Sequence, residues 1–200
     1  MPKWMAIAVL LLSIAAGAQA SIDATQLVTA ARSQVGVTVG YDPSYRKLPY
    51  PNGDVPIETG VCCDVIIRAL RKQGVDLQRL VHEDMKANFA RYPRNWGLKK
   101  PDPNIDHRRV PNLACYFTRH GWSLNVSTNA SEYLPGDIVT WDLGNGLSHI
   151  GIVSDRGTTN GMPLIIHNIG HGAREEDILF RFKLTGHYKP KDAMQLETGE

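Results

Sequence analysis

The sequence has little net charge, few cysteines, and no long hydrophobic run after its N-terminal segment. Its 22 lysines and arginines nearly balance its 20 aspartates and glutamates, and the formal net charge is +2. Such a balance gives no electrostatic footprint for nucleic acid. No later segment approaches the ~20 apolar residues that a membrane-spanning helix requires. We therefore predict neither a nucleic-acid partner nor a membrane span, and the sequence leaves the oligomeric state open.

The N-terminal segment has the pattern of a cleaved export signal. Lys3 supplies a positive charge, residues 6–16 are apolar or small, and residues 17–20 (GAQA) end in a pattern that signal peptidases cut. We predict a signal peptide over residues 1–20 and a single domain over residues 21–200, because the remaining chain is long enough for one substantial core. The predicted location is periplasmic or secreted.

Three cysteines follow the predicted cleavage site, namely Cys62, Cys63 and Cys115. In a compartment that oxidises thiols, an odd number leaves at least one thiol unpaired within the monomer. That thiol could be functional, could be a small buried apolar residue, or could form an intermolecular bridge. A disulfide between Cys63 and Cys115 would leave Cys62 free.

The first half of the chain shows helical periodicity between loops. The predicted helices cover residues 22–35, 61–73, 76–91 and 111–121. Residues 36–60 are rich in glycine, proline and tyrosine, and we predict a long irregular arm there. Residues 93–110 are predicted to form a second loop.

From Trp122 onward, the pattern changes to short apolar runs that are typical of β-strands. The predicted strands cover residues 138–141, 149–153, 164–167 and 179–184. Glycine-containing turns at residues 144–146 and 157–163 indicate hairpins. Helices followed by a meandering antiparallel sheet predict an α+β fold rather than a parallel βαβ array.

Two adjacent thiols and two histidines lie where predicted elements begin or end. Cys62 and Cys63 open the second helix, where unpaired N–H groups favour a thiolate and lower its pKa from about 8.5. His149 opens a strand and can act as a base, while His167 on the adjacent strand can orient its imidazole. Asn168 is a neighbouring candidate, but it should point to the opposite face of the strand. Each residue alone is more often structural; the combination predicts a cysteine–histidine site.

Several motifs resemble those of the NlpC-type cell-wall cysteine peptidases. They are residues 60–67 (GVCCDVII), 134–141 (LPGDIVTW), 148–153 (SHIGIV) and 166–167 (IH). The resemblance implies a papain-like fold with helices packed on a C-terminal antiparallel sheet. It also implies that Cys62 or Cys63 is the nucleophile, His149 the base and His167 the residue that orients the base.

The chain is still more similar to a family of bacterial periplasmic proteins whose domain has no known function. Residues 80–85 (LVHEDM), 104–113 (NIDHRRVPNL) and 186–188 (GHY) carry that similarity. In that family a cysteine follows Gly-Val, and the resemblance therefore implies Cys62 rather than Cys63 as the nucleophile.

The resulting hypothesis is a periplasmic cysteine peptidase or amidase that cleaves amide bonds, expected in peptidoglycan stem peptides, without a cofactor. Two alternatives remain open. A zinc-dependent hydrolase could use four histidines and a nearby aspartate, namely His149, His167, His171, His187 and Asp137 or Asp177. A non-catalytic cell-wall-binding module could use the tyrosines of the arm, Tyr41, Tyr45 and Tyr50.

A charged group in the second loop has two interpretations. Asp106, Arg108 and Arg109 could contact carboxylates or amines of a substrate, or they could form an ordinary loop ion pair.

Overall fold

The computed structural model describes residues 22–191, in which helices precede an antiparallel sheet. The helices are α1 (Ala24–Arg32), α2 (Cys62–Arg71), α3 (Leu77–Asn88) and α4 (Val110–Arg119). The strands are β1 (Ser123–Leu124), β2 (Ile138–Asp142), β3 (Ser148–Gly157), β4 (Pro163–Asn168), β5 (Ala173–Glu176) and β6 (Lys183–Tyr188). They form one sheet in the order β1-β6-β2-β3-β4-β5, and every neighbouring pair is antiparallel. The predicted α+β class is confirmed.

Acidic side chains set the starts of three helices. Asp23 and Asp76 precede α1 and α3, and each accepts a hydrogen bond from a backbone N–H of the first turn. Asp64, in the first turn of α2, accepts a hydrogen bond of 2.6 Å from the backbone N–H of Val61. These bonds satisfy N–H groups that a helix start leaves unpaired, and they set the residue at which each helix begins.

The sheet separates two apolar cores because its side chains alternate between faces. The helices pack on one face, against strand residues that include Ile138, Ile150, Ile152 and Ile166. A second core on the other face contains Val139, Trp141, Val153, Ile165 and Leu179. Each fully buried side chain of this size contributes ~1.5–3 kcal/mol. The two cores hold the sheet, and with it the strand ends, in a defined position against α2.

The arm at residues 36–60 contains no helix or strand, as predicted. Arg68 of α2 holds it by donating hydrogen bonds to the backbone carbonyls of Val55, Pro56 and Thr59. The side-chain amide of Asn168 donates to the carbonyls of Gly40 and Gly60, both at 3.1 Å. Asn168 therefore anchors the arm beside the start of α2.

Two strand predictions need correction. The run 179–184 was expected to be a strand, but β6 begins only at Lys183, and Leu179 lies in a turn where its side chain fills the second core. Strand β5 has no counterpart among the predicted strands. Its sequence, AREE, has one buried residue, Ala173, and lacks the apolar alternation that identifies a strand.

No helix within residues 22–191 is long and apolar enough to cross a membrane. The predicted signal peptide over residues 1–20 lies outside the described residues.

Candidate active site

Cys62 is the first residue of α2 and lines a cavity of about 370 Å³. A hydrogen bond from the Cys63 thiol, the adjacent His149 imidazole and the backbone N–H of Ile150 all stabilise its thiolate. Together they lower the pKa of Cys62 to about 5, although burial acts in the opposite direction. At neutral pH this sulfur is therefore a thiolate, which is the nucleophilic form of cysteine.

Cys63 and Cys115 occupy different environments from Cys62. Cys63 is completely buried in the main core, and burial together with the charge of Cys62 raises its pKa. Cys115 is half-buried on α4, and its thiol contacts the backbone carbonyl of Arg91 at 3.5 Å. All three thiols are free, so the disulfide considered between Cys63 and Cys115 is not formed. Of the three, Cys62 alone lines the cavity.

His149, His167 and Glu176 form a chain of hydrogen bonds that begins beside Cys62. His149 Nε2 lies 3.0 Å from His167 Nδ1, and His167 Nε2 lies 3.1 Å from Glu176 Oε2. Both imidazoles are buried, whereas the Glu176 side chain is 37% exposed. The structure thus brings the three predicted residues together and adds a carboxylate.

Strand register produces this arrangement. Gly151 of β3 stands opposite His167 of β4, and His149 lies two residues from Gly151 on the same face. A Cβ atom at position 151 would lie 2.6 Å from Ile165 Cγ2 and 3.2 Å from His167 Cβ. The glycine therefore leaves room for the two imidazoles to meet diagonally across the strand pair.

The hydrogen-bond chain determines which nitrogen of His149 faces the thiol. Burial, with smaller contributions from the charges of His149 and two arginines, lowers the pKa of His167 to about 3. His167 is therefore neutral and has one N–H, which it donates from Nε2 to the Glu176 carboxylate. Its Nδ1 then accepts the N–H of His149 Nε2. This leaves Nδ1 of His149 to exchange a proton with Cys62.

Trp141 restricts the orientation of the same imidazole. Its ring stacks on that of His149, with the centroids 5.6 Å apart and an interplanar angle of 29°. The Trp141 indole N–H donates a hydrogen bond of 2.9 Å to the Leu179 carbonyl, which holds the ring in place. The base is thus fixed both by stacking and by hydrogen bonding.

A buried ion pair stabilises the first turn of α2, where Cys62 lies. Arg108 Nη2 donates to Asp64 Oδ2 at 2.9 Å, and Arg108 Nε donates to Asp64 Oδ1 at 3.0 Å. Both side chains are nearly inaccessible to solvent. Removing one partner of such a pair typically costs ~3–5 kcal/mol, because the other charge stays buried without compensation. Since Asp64 also caps α2, the pair links the second loop to the position of Cys62.

Aromatic side chains form much of the cavity wall. Tyr41, Tyr45 and Trp96 line the cavity, and each exposes at least 40% of its surface. Burial and the charge of Cys62 raise the pKa of Tyr41, so its hydroxyl stays protonated beside the thiolate. Tyr50, the third tyrosine of the arm, packs edge-on against the His82 ring with centroids 5.3 Å apart. It is not among the cavity-lining residues.

The histidines considered for zinc do not form a metal site. Within residues 22–191, no group of three or more histidine, cysteine, aspartate or glutamate side chains is arranged to hold a metal ion. His187 instead pairs with Asp137 at 2.8 Å, and His171 is exposed in the turn before β5. These residues therefore give the zinc hypothesis no ligand set.

Glu176 was not among the residues predicted from the sequence. It lies in β5, the strand that the sequence pattern did not identify, and its role depends on the pairing of β5 with β4. A charged tetrapeptide carries no local signal for that pairing.

Comparison with known proteins identifies a family and one similar protein. The family described as "Domain of unknown function (DUF1287)" matches residues 28–190. The "Uncharacterized protein YijF" of Escherichia coli (strain K12) is 62% identical over 159 residues, which are 80% of this chain and 78% of that protein. These matches confirm the expected similarity to a family of unknown function.

Two solved structures of NlpC proteins from Trichomonas vaginalis are also similar to this chain. NlpC1 and NlpC2 each give a TM-score of 0.47 at 15% sequence identity, over 90% and 84% of this chain respectively. The chain spans about half the length of these structures, 47% in both cases.

Proposed function

We propose that this chain, which belongs to the DUF1287 family, is a thiol hydrolase that cleaves amide bonds in peptidoglycan stem peptides. The observation that carries the proposal is that Cys62 begins a helix beside His149, whose imidazole is oriented by a hydrogen-bond chain through His167 and Glu176. The export pattern of residues 1–20 supports action in the periplasm, where peptidoglycan lies. The motifs shared with cell-wall cysteine peptidases support this substrate class.

The mechanism is acyl transfer to water in two steps. In the first step the Cys62 thiolate attacks the amide carbonyl carbon, and the electron pair of the carbonyl moves to its oxygen. The protonated His149 donates its Nδ1 proton to the leaving nitrogen as the C–N bond breaks, which leaves a thioester on Cys62. In the second step His149 takes a proton from water, the hydroxide attacks the thioester, and the thiolate leaves.

Two kinds of donor can stabilise the oxyanion that forms in both steps. Backbone N–H groups at a helix start point toward its N-terminus, where the helix dipole favours negative charge, and Val61 and Cys62 at the start of α2 line the cavity. The protonated Tyr41 hydroxyl lines the same cavity. Such donors act most strongly when they are fixed before the reaction, and the buried Asp64–Arg108 pair fixes the first turn of α2.

The decisive experiment is digestion of purified peptidoglycan by the mature protein, followed by mass spectrometry of the released fragments. We expect wild type to release new amine and carboxyl termini at one type of amide bond, and Cys62→Ala to release none. Cys115→Ala, which removes a thiol outside the cavity lining, is the matched control and should retain full cleavage. Cys63→Ala should retain cleavage at a reduced rate, because it removes a group that stabilises the Cys62 thiolate. Loss of cleavage only in Cys63→Ala would refute the assignment of the nucleophile. A folded wild type that releases no fragments, yet binds peptidoglycan as well as Cys62→Ala does, would support a binding module instead.

Glu176 is expected to act as a positioning residue for the base. Glu176→Ala should lower kcat about tenfold with little change in KM, because His167 loses the acceptor that sets its tautomer. Glu176→Gln should have a smaller effect, since its amide oxygen can accept the same N–H. Steady-state kinetics on a cleaved peptide measure both. Asp177→Ala, which removes an exposed carboxylate from the next position, is the control. An equal loss in Glu176→Ala and Asp177→Ala would contradict the positioning role.

A further inference from the structure

We infer that Arg109 binds a free carboxylate of the substrate beside the amide that Cys62 attacks. This inference rests on the proposed function of the same cavity and names the substrate feature that the cavity recognises.

The charges around the cavity favour an anion. Among its described lining residues there is no aspartate or glutamate, and the only cationic side chains are Arg108 and Arg109. Among the described lining residues the one anionic group is the Cys62 thiolate, so a substrate carboxylate is favoured on the side of the cavity that the guanidinium groups line.

The guanidinium donors of Arg108 are already used in hydrogen bonds within the protein. Its guanidinium donates to both carboxylate oxygens of Asp64 and to the backbone carbonyls of Asp42 and Ser44. Its side chain is 2% exposed and its charge is balanced by a buried partner. Arg108 thus supports the helix start and has little capacity left for a ligand.

Arg109 is held in place while most of its donors stay free. Its guanidinium carbon lies 4.1 Å from the centroid of the Trp96 ring, which fixes the group by stacking without using an N–H. Its single ion-pair contact is from Nη1 to Asp106 Oδ1 at 3.4 Å. Within the described chain, Nε and Nη2 donate to no protein acceptor. A guanidinium edge with two adjacent donors matches the geometry of a carboxylate.

The environment of Arg109 also favours binding of an anion over solvation. Its side chain is 16% exposed, and burial lowers its pKa because water is partly excluded from the charge. Asp106, the nearby carboxylate, is completely buried behind it and also accepts the backbone N–H of Asp102. A bound carboxylate would supply the acceptors that water no longer supplies. Peptidoglycan stem peptides carry free carboxyl groups along their length, and some of these are amidated, which provides a natural comparison.

The test is binding of two synthetic stem tetrapeptides that differ at one group. In one peptide the α-carboxyl of the glutamate residue is free, and in the other it is a carboxamide. Isothermal titration calorimetry uses the full mature chain with Cys62→Ala, so that neither peptide is cleaved. We expect the carboxylate peptide to bind about tenfold more tightly than the carboxamide. Adding Arg109→Gln should remove that preference without weakening the carboxamide, and Arg109→Lys should retain part of it.

The control is Arg79→Gln, which removes an exposed arginine of α3 outside the cavity lining and should leave the preference unchanged. Equal binding of the two peptides, absence of binding to both at millimolar concentration, or equal weakening of both by Arg109→Gln would overturn the inference. These outcomes are independent of catalysis. A carboxylate preference in a protein that digests no peptidoglycan would refute the hydrolase alone, whereas digestion without the preference would refute the role of Arg109 alone.

Discussion

Replacing His149 with alanine is expected to lower kcat for peptide hydrolysis by about 10³-fold at neutral pH, with little change in KM. The variant loses the proton donor for the leaving amine and the base for the hydrolytic water. It also loses one of the groups that hold the pKa of Cys62 low. Steady-state kinetics on the peptide identified by digestion measure the effect.

The matched control for this substitution is His171→Ala. His171 is exposed in the turn before β5, so its removal should leave kcat within about twofold of wild type. If His149→Ala retained most of the wild-type kcat, or if both variants lost activity equally, His149 would not be the base. The melting temperature of each variant distinguishes loss of chemistry from loss of folding.

The three residues predicted from the sequence share one property, which is that local patterns place them at element ends. Cys62 opens an apolar helix, and His149 and His167 bound short apolar runs. Because β3 and β4 are consecutive strands joined by a short turn, their antiparallel pairing was predictable. The register that brings the two histidines together was not, because an irregularity between Val153 and Gly157 shifts it between the turn and the histidines.

Glu176 and the strand that carries it could not be predicted in the same way. Strand β5 lies at the sheet edge, and only Ala173 of its four residues is buried, so it needs no apolar alternation. The strand predicted at residues 179–184 was wrong for the opposite reason, because there the local pattern is present but the strand is not formed over the whole run. Its pattern alternates well, but Leu179 is taken into the second core and its carbonyl accepts the indole N–H of Trp141. A tertiary contact thus overrides the local preference.

The buried Asp64–Arg108 pair shows a second limit of local patterns. The two residues lie 44 positions apart, and adjacent Arg108 and Arg109 look equivalent in the sequence. The fold gives the two arginines different roles at the turn Asp106–Arg108. The guanidinium of Arg108 packs against the start of α2, whereas that of Arg109 stacks on Trp96. Only the folded chain therefore distinguishes the arginine that supports the nucleophile from the one available to a ligand.

The reactivity of Cys62 toward iodoacetamide should follow a titration near pH 5. A lowered pKa means that the thiolate is present above about pH 5 and disappears as the pH falls through that value. At pH 6 about 90% of Cys62 would be thiolate, compared with about 0.3% for a thiol of pKa 8.5. A thiolate of low pKa is intrinsically less nucleophilic, which reduces the advantage in rate to about five- to tenfold. Mass spectrometry of each cysteine-containing peptide measures alkylation against pH.

Cys115 is the internal control, because burial raises its pKa and it lies on the half-exposed side of α4. It should react slowly at pH 6, and Cys63 more slowly still, since Cys63 is inaccessible and its pKa is raised. His149→Ala and Cys63→Ala should each move the Cys62 midpoint upward, because each removes a group that stabilises the thiolate. A Cys62 midpoint near 8.5 in wild type would mean that these groups do not activate the thiol. Neutral-pH chemistry at this site would then require a base that deprotonates Cys62 only after substrate is bound.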